Sequence, residues 1–208
     1  MIKVKVGEMI VCRFKNQLST ESASIHWHGI ELDNDSDGTP VSQDAVLPGQ
    51  SYTYQFDTSR PGIFWFHPHM LPGNTLFGGM YGVISILGRH ERAPDREFQV
   101  FFAPVGEFQG IDGRAFVGNT PVFHSRVGDL VQWDVLALGS DHHTFHVHGH
   151  RWHGAGPSHR HQDVQELGPA DSFRIRWRED APGTWLYHCH VEDHMERGMI
   201  GVYQVAAR

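Results

Sequence analysis

The feature that most constrains this chain is an internal repeat with a period of about 121 residues. Lys5–Glu8 returns as Arg126–Asp129, and Gly79–Gly82 returns as Gly198–Gly201. The matches keep the same order along the chain, which predicts two copies of one fold in tandem. The second copy also has residues 97–121 before its match to Met1, so we expect the chain to lack about one hairpin of its natural beginning.

Strand-like alternation marks both copies. Polar and apolar residues alternate in Ser51–Phe56 and in the matching Ser172–Trp177, which is the period of half-buried strands. The 23 Gly and 11 Pro divide the chain into short segments, and no segment of comparable length has a helical apolar stripe. We therefore expect an all-β chain with one sandwich at residues 1–90 and a second at 91–208, joined by a charged linker around Pro94.

Charge and hydropathy exclude several classes of partner. The formal net charge of −7 gives no general attraction to phosphate backbones or anionic membranes, so we expect no nucleic acid and no membrane. No apolar run approaches the length of a membrane span, and Met1–Gly7 does not resemble a signal peptide.

Histidine is over-represented, at 17 of 208 residues, and six His-x-His pairs occur. On a strand, residues i and i+2 point to the same face, so each pair delivers two imidazoles to one place. Eight imidazoles are too many for one metal ion and suit three coppers shared between them. Four pairs recur at equivalent repeat positions: His26/His28, His67/His69, His146/His148 and His188/His190.

Cys189 lies between His188 and His190, so on a strand it points to the opposite face. Two His, one Cys and a weak axial Met make a blue-copper electron-transfer site, and His143, His194 and Met199 are spaced to complete one around Cys189. The first copy lacks this set. Its positions equivalent to His143 and Cys189 hold Ala23 and Pro68, and the equivalent of His194 falls near Gly73. The other cysteine, Cys12, aligns with Trp133, which predicts a packing role.

These motifs, taken together, resemble the four copper motifs of multicopper oxidases, and the resemblance spans nearly the whole chain. In length, and in carrying the blue-copper set only in its second half, the chain is similar to the two-domain (small) laccases. The motifs are His26-Trp27-His28-Gly29, His67-Pro68-His69, His143-Thr-Phe-His146-Val-His148-Gly149-His150, and His188-Cys189-His190 followed by His194 and Met199.

The resemblance implies two cupredoxin-like Greek-key β-sandwich domains and four coppers per chain: one type 1, one type 2 and two type 3. It assigns His143, Cys189, His194 and Met199 to type 1, and His26 and His146 to type 2. It assigns His28, His67, His69, His148, His188 and His190 to the type 3 pair. It also implies a homotrimer with each three-copper cluster at a subunit interface, and a periplasmic or secreted location.

The reaction implied is laccase-like: one-electron oxidation of phenolic or aromatic donors, with O2 reduced to water. Cys189 and His194 would carry the electrons. Asp37 occupies the spacing of an acidic proton-relay residue, although Asp-Gly is also a strong turn signal. The acidic residue that the family has after the last type 1 histidine is absent, because Met195 follows His194.

Two alternatives remain open. A two-domain copper nitrite reductase needs one mononuclear catalytic copper rather than eight cluster histidines, and a copper electron carrier needs only the blue site. The remaining histidines near the second motif flank Gly154, Gly156 and Pro157, which predicts a solvated loop. They are His142, His150, His153, His159 and His161.

Overall fold

The computed structural model describes residues 1–70, 75–153 and 161–208. The chain divides into two units, Met1–Ala93 and Pro94–Arg208. Each unit is built from short strands around its own apolar core, so the predicted all-β fold of two sandwiches is confirmed. Within the described ranges, no helix has the length and apolar character needed to cross a bilayer.

The elements of the first unit are β1 Ile2–Lys5, β2 Met9–Lys15, β3 Ile25–His28, a 3-10 turn at Asn34–Ser36, β4 Ser51–Asp57, β5 Gly62–Pro68 and β6 Gly82–Leu87. A four-stranded sheet, in the order β1-β6-β5-β3, packs against the antiparallel pair β2-β4. Trp27 on β3 fills the space between them, contacting Tyr54 and Phe56 of β4 at ring-centroid distances of 5.5 and 4.9 Å.

The second unit has a four-stranded sheet, β15-β10-β7-β8, and a five-stranded sheet, β14-β11-β16-β17-β9, with the small pair β12-β13 beside them. Its strands are β7 Arg96–Val105, β8 Phe108–Ile111, β9 Val122–Arg126, β10 Leu130–Ala137, β11 His143–Val147, β12 Trp152–His153, β13 His161–Gln162, β14 Val164–Leu167, β15 Ser172–Arg178, β16 Gly183–Cys189 and β17 Ile200–Ala206. A single turn of helix, α1 Glu192–Glu196, follows β16.

Trp133 on β10 is the centre of the second core. Its indole is fully buried and contacts Phe145, Tyr187 and Tyr203 of the facing sheet at centroid distances of 5.5, 5.3 and 5.1 Å. Burying one such side chain contributes about 1.5–3 kcal/mol to folding. The two sheets of this unit are therefore held at a fixed spacing by aromatic packing directly behind β16.

The repeat seen in the sequence is also a repeat of strand pairing. β3 pairs with antiparallel β5 as β11 pairs with β16, and β1 pairs with parallel β6 as β9 pairs with β17. In the register of these pairs, His26 lies opposite His67, and His146 lies opposite His188. Both copies therefore bring their His-x-His pairs together on two neighbouring strands.

Candidate metal centres

Cys189, His143 and His194 bring one thiol and two imidazoles together inside the second unit. The Cys189 Sγ lies 3.7 Å from the His143 Nδ1 and 3.6 Å from the His194 Nδ1. His143 begins β11, Cys189 ends β16 and His194 lies on α1. Buried Met199 is tied to the same place, because its N–H donates to the His194 carbonyl and its own carbonyl accepts the Cys189 N–H.

Burial disfavours the charged forms of two members of this donor set, Cys189 and His143. It raises the pKa of the Cys189 thiol, and burial together with neighbouring His194 lowers the pKa of His143 to about 4. The Thr144 N–H donates to Cys189 Sγ at 3.4 Å, an interaction that favours a thiolate once a cation replaces the proton. One thiol, two imidazoles and a thioether match the preference of copper for soft sulfur and imidazole ligands.

The first unit collects four histidines at the ends of β3 and β5. The His26 ring is central, with centroid distances of 5.9, 5.5 and 5.6 Å to His28, His67 and His69. Ring nitrogens of His26, His28 and His67 all lie within 4.8 Å of one another. Four imidazoles at this spacing form what we call the first half-site.

The second unit repeats this arrangement on β11 and β16. The His146 ring lies 5.1, 5.3 and 5.5 Å from those of His148, His188 and His190. The Nε2 atoms of His148 and His188 are only 3.0 Å apart. We call these four residues the second half-site.

Backbone carbonyls orient the histidines in the same way in both half-sites. The Nδ1 of His26 lies 2.9 Å from the Asp37 carbonyl oxygen, and the Nδ1 of His146 lies 2.6 Å from that of Asp163. Since a carbonyl can only accept, each Nδ1 carries the proton and each Nε2 is left as the free donor for a metal.

In each half-site, a histidine on the other strand of the pair also faces a backbone carbonyl. The His67 Nδ1 lies 2.9 Å from the Pro68 oxygen, and the His188 Nδ1 lies 2.8 Å from the Cys189 oxygen. Burial, followed by neighbouring imidazoles, lowers the pKa of His188 to about 4; burial also lowers the pKa of His67 and His148. Neutral, pre-oriented imidazoles are the form that binds copper.

The mononuclear set occurs in one unit of the described chain. In the first unit, the position of His143 holds Ala23, which is buried and bridged to Val46, and the position of Cys189 holds Pro68. The third equivalent, near Gly73, lies outside the described residues. The first unit therefore keeps four paired histidines without the thiol and imidazoles of the mononuclear set.

Asp37 lies beside the first half-site. Its Oδ1 lies 3.3 Å from His26 Nδ1, and its Oδ2 accepts a hydrogen bond from Thr39 at 2.9 Å. About a third of its side chain is exposed (31%), so the carboxylate has access to solvent on one side. It also sits at the turn that the Asp-Gly signal predicts, because Gly38 has a φ of +76°.

The prediction that the neighbouring histidines are solvated is wrong for His150. Its imidazole is buried and bonds to the Glu179 carboxylate at 2.9 Å. His142 and His153 are exposed, whereas His159 and the side chain of His161 lie outside the described residues. Sequence reasoning missed Glu179 and Asp163, because a lone acid and a backbone carbonyl leave no pattern.

A thiol, two imidazoles and a thioether on one β-sandwich, with paired-imidazole half-sites on both, define a protein with two kinds of candidate copper site. Two sequence profiles, each described as multicopper oxidase, match residues 1–91 and 91–208. The chain belongs to the multicopper oxidase family.

Related proteins include a probable nitrite reductase-hydroxylamine oxidoreductase fusion protein of Kuenenia stuttgartiensis, 29% identical over 99% of this chain and 27% of its own length. Ceruloplasmin of Rattus norvegicus is 37% identical over 99% of this chain and 23% of its own length. The chain thus spans about a quarter of the length of these curated relatives.

Solved structures share the fold. A crystal structure of a multicopper oxidase superposes with a TM-score of 0.81 at 23% identity, covering 98% of this chain and 77% of the other. A copper nitrite reductase from Nitrosomonas europaea superposes with a TM-score of 0.79 at 19% identity, covering 99% and 82%. The cupredoxin-like β-sandwich predicted from the motifs is therefore confirmed.

Replacing Gly38 with alanine should weaken copper binding at the first half-site. A Cβ at Gly38 would lie 1.9 Å from the Ile25 carbonyl oxygen, so the loop must move and take the Asp37 carbonyl away from His26. Loss of such an orienting partner typically costs about 10–100-fold in metal affinity. Copper titration against a competing chelator measures the change.

Gly49→Ala is the matched control. Gly49 has a similar φ of +81° but no atom lies within 4 Å of its Cβ position. It should cost roughly 1–2 kcal/mol of stability through backbone strain and leave copper affinity unchanged. Equal copper affinities in the two variants would contradict the assignment of Asp37 as the orienting partner.

Proposed function

We propose that this chain is a laccase-like oxidase, which oxidises phenolic or aromatic donors one electron at a time and reduces O2 to water. One observation carries the proposal: Cys189 of the mononuclear set lies between His188 and His190 of the second half-site, so two kinds of metal centre share one strand end. A pure electron carrier has no use for the second centre.

The donor sets fit copper, and we assign them by motif. His143, Cys189, His194 and Met199 would hold the type 1 ion, and His26 and His146 the type 2 ion. His28, His67, His69, His148, His188 and His190 would hold the type 3 pair. Bound copper supplies one-electron chemistry, taking electrons singly from the donor and passing them to dioxygen, which also needs protons to become water.

The chain's own residues define the route between the centres. His194, which is mostly buried but 9% exposed, is the proposed point where electrons enter. Cys189 joins the mononuclear set to both neighbouring histidines through the backbone, and its carbonyl also accepts the His188 Nδ1 proton at 2.8 Å. The strand end is therefore a covalent and hydrogen-bonded path of a few bonds.

Asp37 is the proposed proton carrier. Its partly exposed carboxylate can exchange a proton with solvent, and its Oδ1 lies 3.3 Å from the His26 Nδ1, which already carries its own proton. Asp37 would therefore deliver its proton to the reacting oxygen atoms beside His26 rather than to the imidazole. Thr39 and the backbone turn hold the carboxylate in place. A carboxylate next to solvent on one side and a cluster histidine on the other suits proton delivery.

Two kinds of relative suggest rival functions. The relatives include a ferroxidase of Homo sapiens, which suggests metal-ion oxidation, and the structural neighbours include a copper nitrite reductase, which suggests nitrite as the electron acceptor. The complete eight-histidine set favours O2 over nitrite, since a single mononuclear catalytic copper leaves half of it unused. Oxygen uptake compared between a phenolic donor and ferrous ion separates the laccase-like from the ferroxidase reading.

Copper content and magnetism test the proposal directly. Loaded, oxidised protein should hold about four coppers per chain, of which about half are silent in electron paramagnetic resonance because the type 3 pair is coupled. Copper analysis alongside spin quantitation gives both numbers. One or two coppers per chain, all visible, would overturn the oxidase proposal in favour of the reductase or carrier.

Cys189→Ser should abolish the blue colour, because the absorption needs the thiolate. Turnover should fall by more than the roughly 100-fold that loss of an outer-shell partner causes. Copper bound by the eight half-site histidines should remain, as counted by metal analysis. A variant that stays blue and active would refute the assignment of Cys189.

The half-sites support a proposal for the assembly, because each unit carries four of the eight imidazoles. We propose a homotrimer in which the first half-site of one subunit meets the second half-site of its neighbour. Chains carrying His69→Ala should then complement chains carrying His190→Ala, because in an equal, random mixture about one interface in four joins two intact half-sites.

Refolding the two inactive variants together and assaying oxygen uptake tests this arrangement. Each variant refolded alone is the control and should stay inactive. If both half-sites belong to one chain, every cluster in the mixture has a missing ligand. Activity no greater than in the controls would therefore exclude the intersubunit cluster.

A further inference from the structure

A buried polar network surrounds Glu179, behind the second half-site. Its Oε1 accepts hydrogen bonds from the His150 Nε2 at 2.9 Å and from two backbone N–H groups at 3.1 Å. Its Oε2 accepts from the Trp177 indole at 3.0 Å and from the Tyr203 hydroxyl at 2.5 Å. The carboxylate has no solvent exposure, so all of its partners come from the protein.

The repeat shows that the fold does not need this network. Thr58 occupies the place of Glu179 in the first unit: its carbonyl accepts the Gly7 N–H at 2.8 Å, as that of Glu179 accepts the Gly128 N–H at 2.8 Å. The same alignment puts Ile84 in the place of Tyr203 and Cys12 in the place of Trp133. Since buried charge seldom adds to stability, the network calls for another explanation.

An aromatic path connects Tyr203 to the metal-binding strand. Its ring contacts Trp133 at a centroid distance of 5.1 Å, and Trp133 contacts Tyr187 at 5.3 Å. Tyr187 directly precedes His188 and is fully buried, as are the other two rings. The path ends at the second half-site, in the unit that also carries the Cys189 site.

We propose that Tyr203 is a redox-active tyrosine, which gives one electron through Trp133 toward the oxidised metal centre at His188 and Cys189 while its phenolic proton passes to the Oε2 of Glu179. The O–H bond breaks and a new O–H bond forms on Glu179. The products are a neutral tyrosyl radical, a neutral carboxyl group and a centre reduced by one electron.

Glu179 is suited to receive that proton. Burial alone would raise its pKa, but hydrogen bonds from His150, Tyr203 and the Ala181 N–H lower it to about 2, so the carboxylate is ionised at neutral pH. Tyr187 differs, because its hydroxyl donates at 2.8 Å to the Pro121 carbonyl, which does not hold a proton in water. Tyr203, rather than Tyr187, is therefore the tyrosine that can lose its proton and remain as a neutral radical.

The role follows from the timing of electron supply. If an oxidised centre forms when no reducing substrate is bound, Tyr203 supplies the missing electron, and the ligands Cys189 and His188 are spared. A later electron from the donor returns Tyr203 to the phenol, with the proton coming back from Glu179. The identity of the oxidant rests on the proposed function, whereas the Tyr203–Glu179 pair does not.

The first test uses copper-loaded Cys189→Ser protein, which lacks the type 1 site, reduced without oxygen, mixed with O2 in the absence of a donor and freeze-quenched. Its three remaining coppers supply three of the four electrons that O2 takes up, so the fourth must come from the protein. The tyrosine and glutamate variants are made in the same background. Electron paramagnetic resonance should detect an organic radical whose spectrum changes when the tyrosines are deuterated. Tyr203→Phe should abolish the radical and Tyr187→Phe should keep it. Glu179→Gln, which cannot take the proton, should reduce its yield several-fold.

The second test needs no copper. Metal-free protein is oxidised by a flash-excited ruthenium photosensitiser with an external electron acceptor, and the tyrosyl radical is followed by its transient absorption. The radical should form in wild type and in Tyr187→Phe, and fail to form in Tyr203→Phe. If the radical forms as expected but the copper-loaded protein shows no coupled copper pair, the oxidase proposal is overturned and the assignment of Tyr203 stands.

Three outcomes overturn the inference itself. They are the absence of a radical in both tests, an undiminished radical in Tyr203→Phe, and loss of the radical in Tyr187→Phe but not in Tyr203→Phe. Unfolding curves of each variant accompany the tests. A variant that does not fold is replaced by Trp133→Phe, which should slow radical formation while keeping an aromatic core.

Discussion

The alternation of side chains along β16 is the constraint on which the rest depends. Because neighbouring residues on a strand face opposite ways, His188 and Cys189 belong to different sites although one peptide bond joins them. The strand must therefore end between two environments, a dry core behind Cys189 and an imidazole-lined face before His188. The aromatic packing of Trp133 and Tyr187 keeps that core dry.

Orientation by the backbone is the second principle of these sites. A carbonyl oxygen can only accept a hydrogen bond, so the partners of His26, His67, His146 and His188 fix the tautomer of the neutral ring and leave Nε2 as the nitrogen that can bind a metal. The orientation of these imidazoles then depends on the conformation of the loops that supply the carbonyls rather than on side-chain chemistry. Gly38, which has a positive φ and lies against the Ile25 carbonyl, is one residue on which that loop conformation depends.

Much of the fold and of the candidate metal sites can be predicted from the sequence, because the patterns that encode them are periodic. Strand alternation, the repeat and the His-x-His spacing predict the sandwiches and both groups of imidazoles. Other features depend on contacts between distant residues. His150 lies in a glycine-rich sequence typical of a solvated loop, yet Glu179, 29 positions away, holds it in the core. The carbonyls of Asp37 and Asp163 leave no trace in residue identity, since any residue supplies a carbonyl.

The matching carbonyl partners of the two half-sites have a consequence for how such a centre arises. Each half-site is one arrangement of four imidazoles, built from the same strand pairs and the same backbone acceptors. A single domain of this kind therefore carries four oriented imidazoles before it meets any partner. Any larger centre that such domains form can arise by pairing copies of one domain, and the buried thiol site, which occurs in the second copy, is a separate difference between the copies.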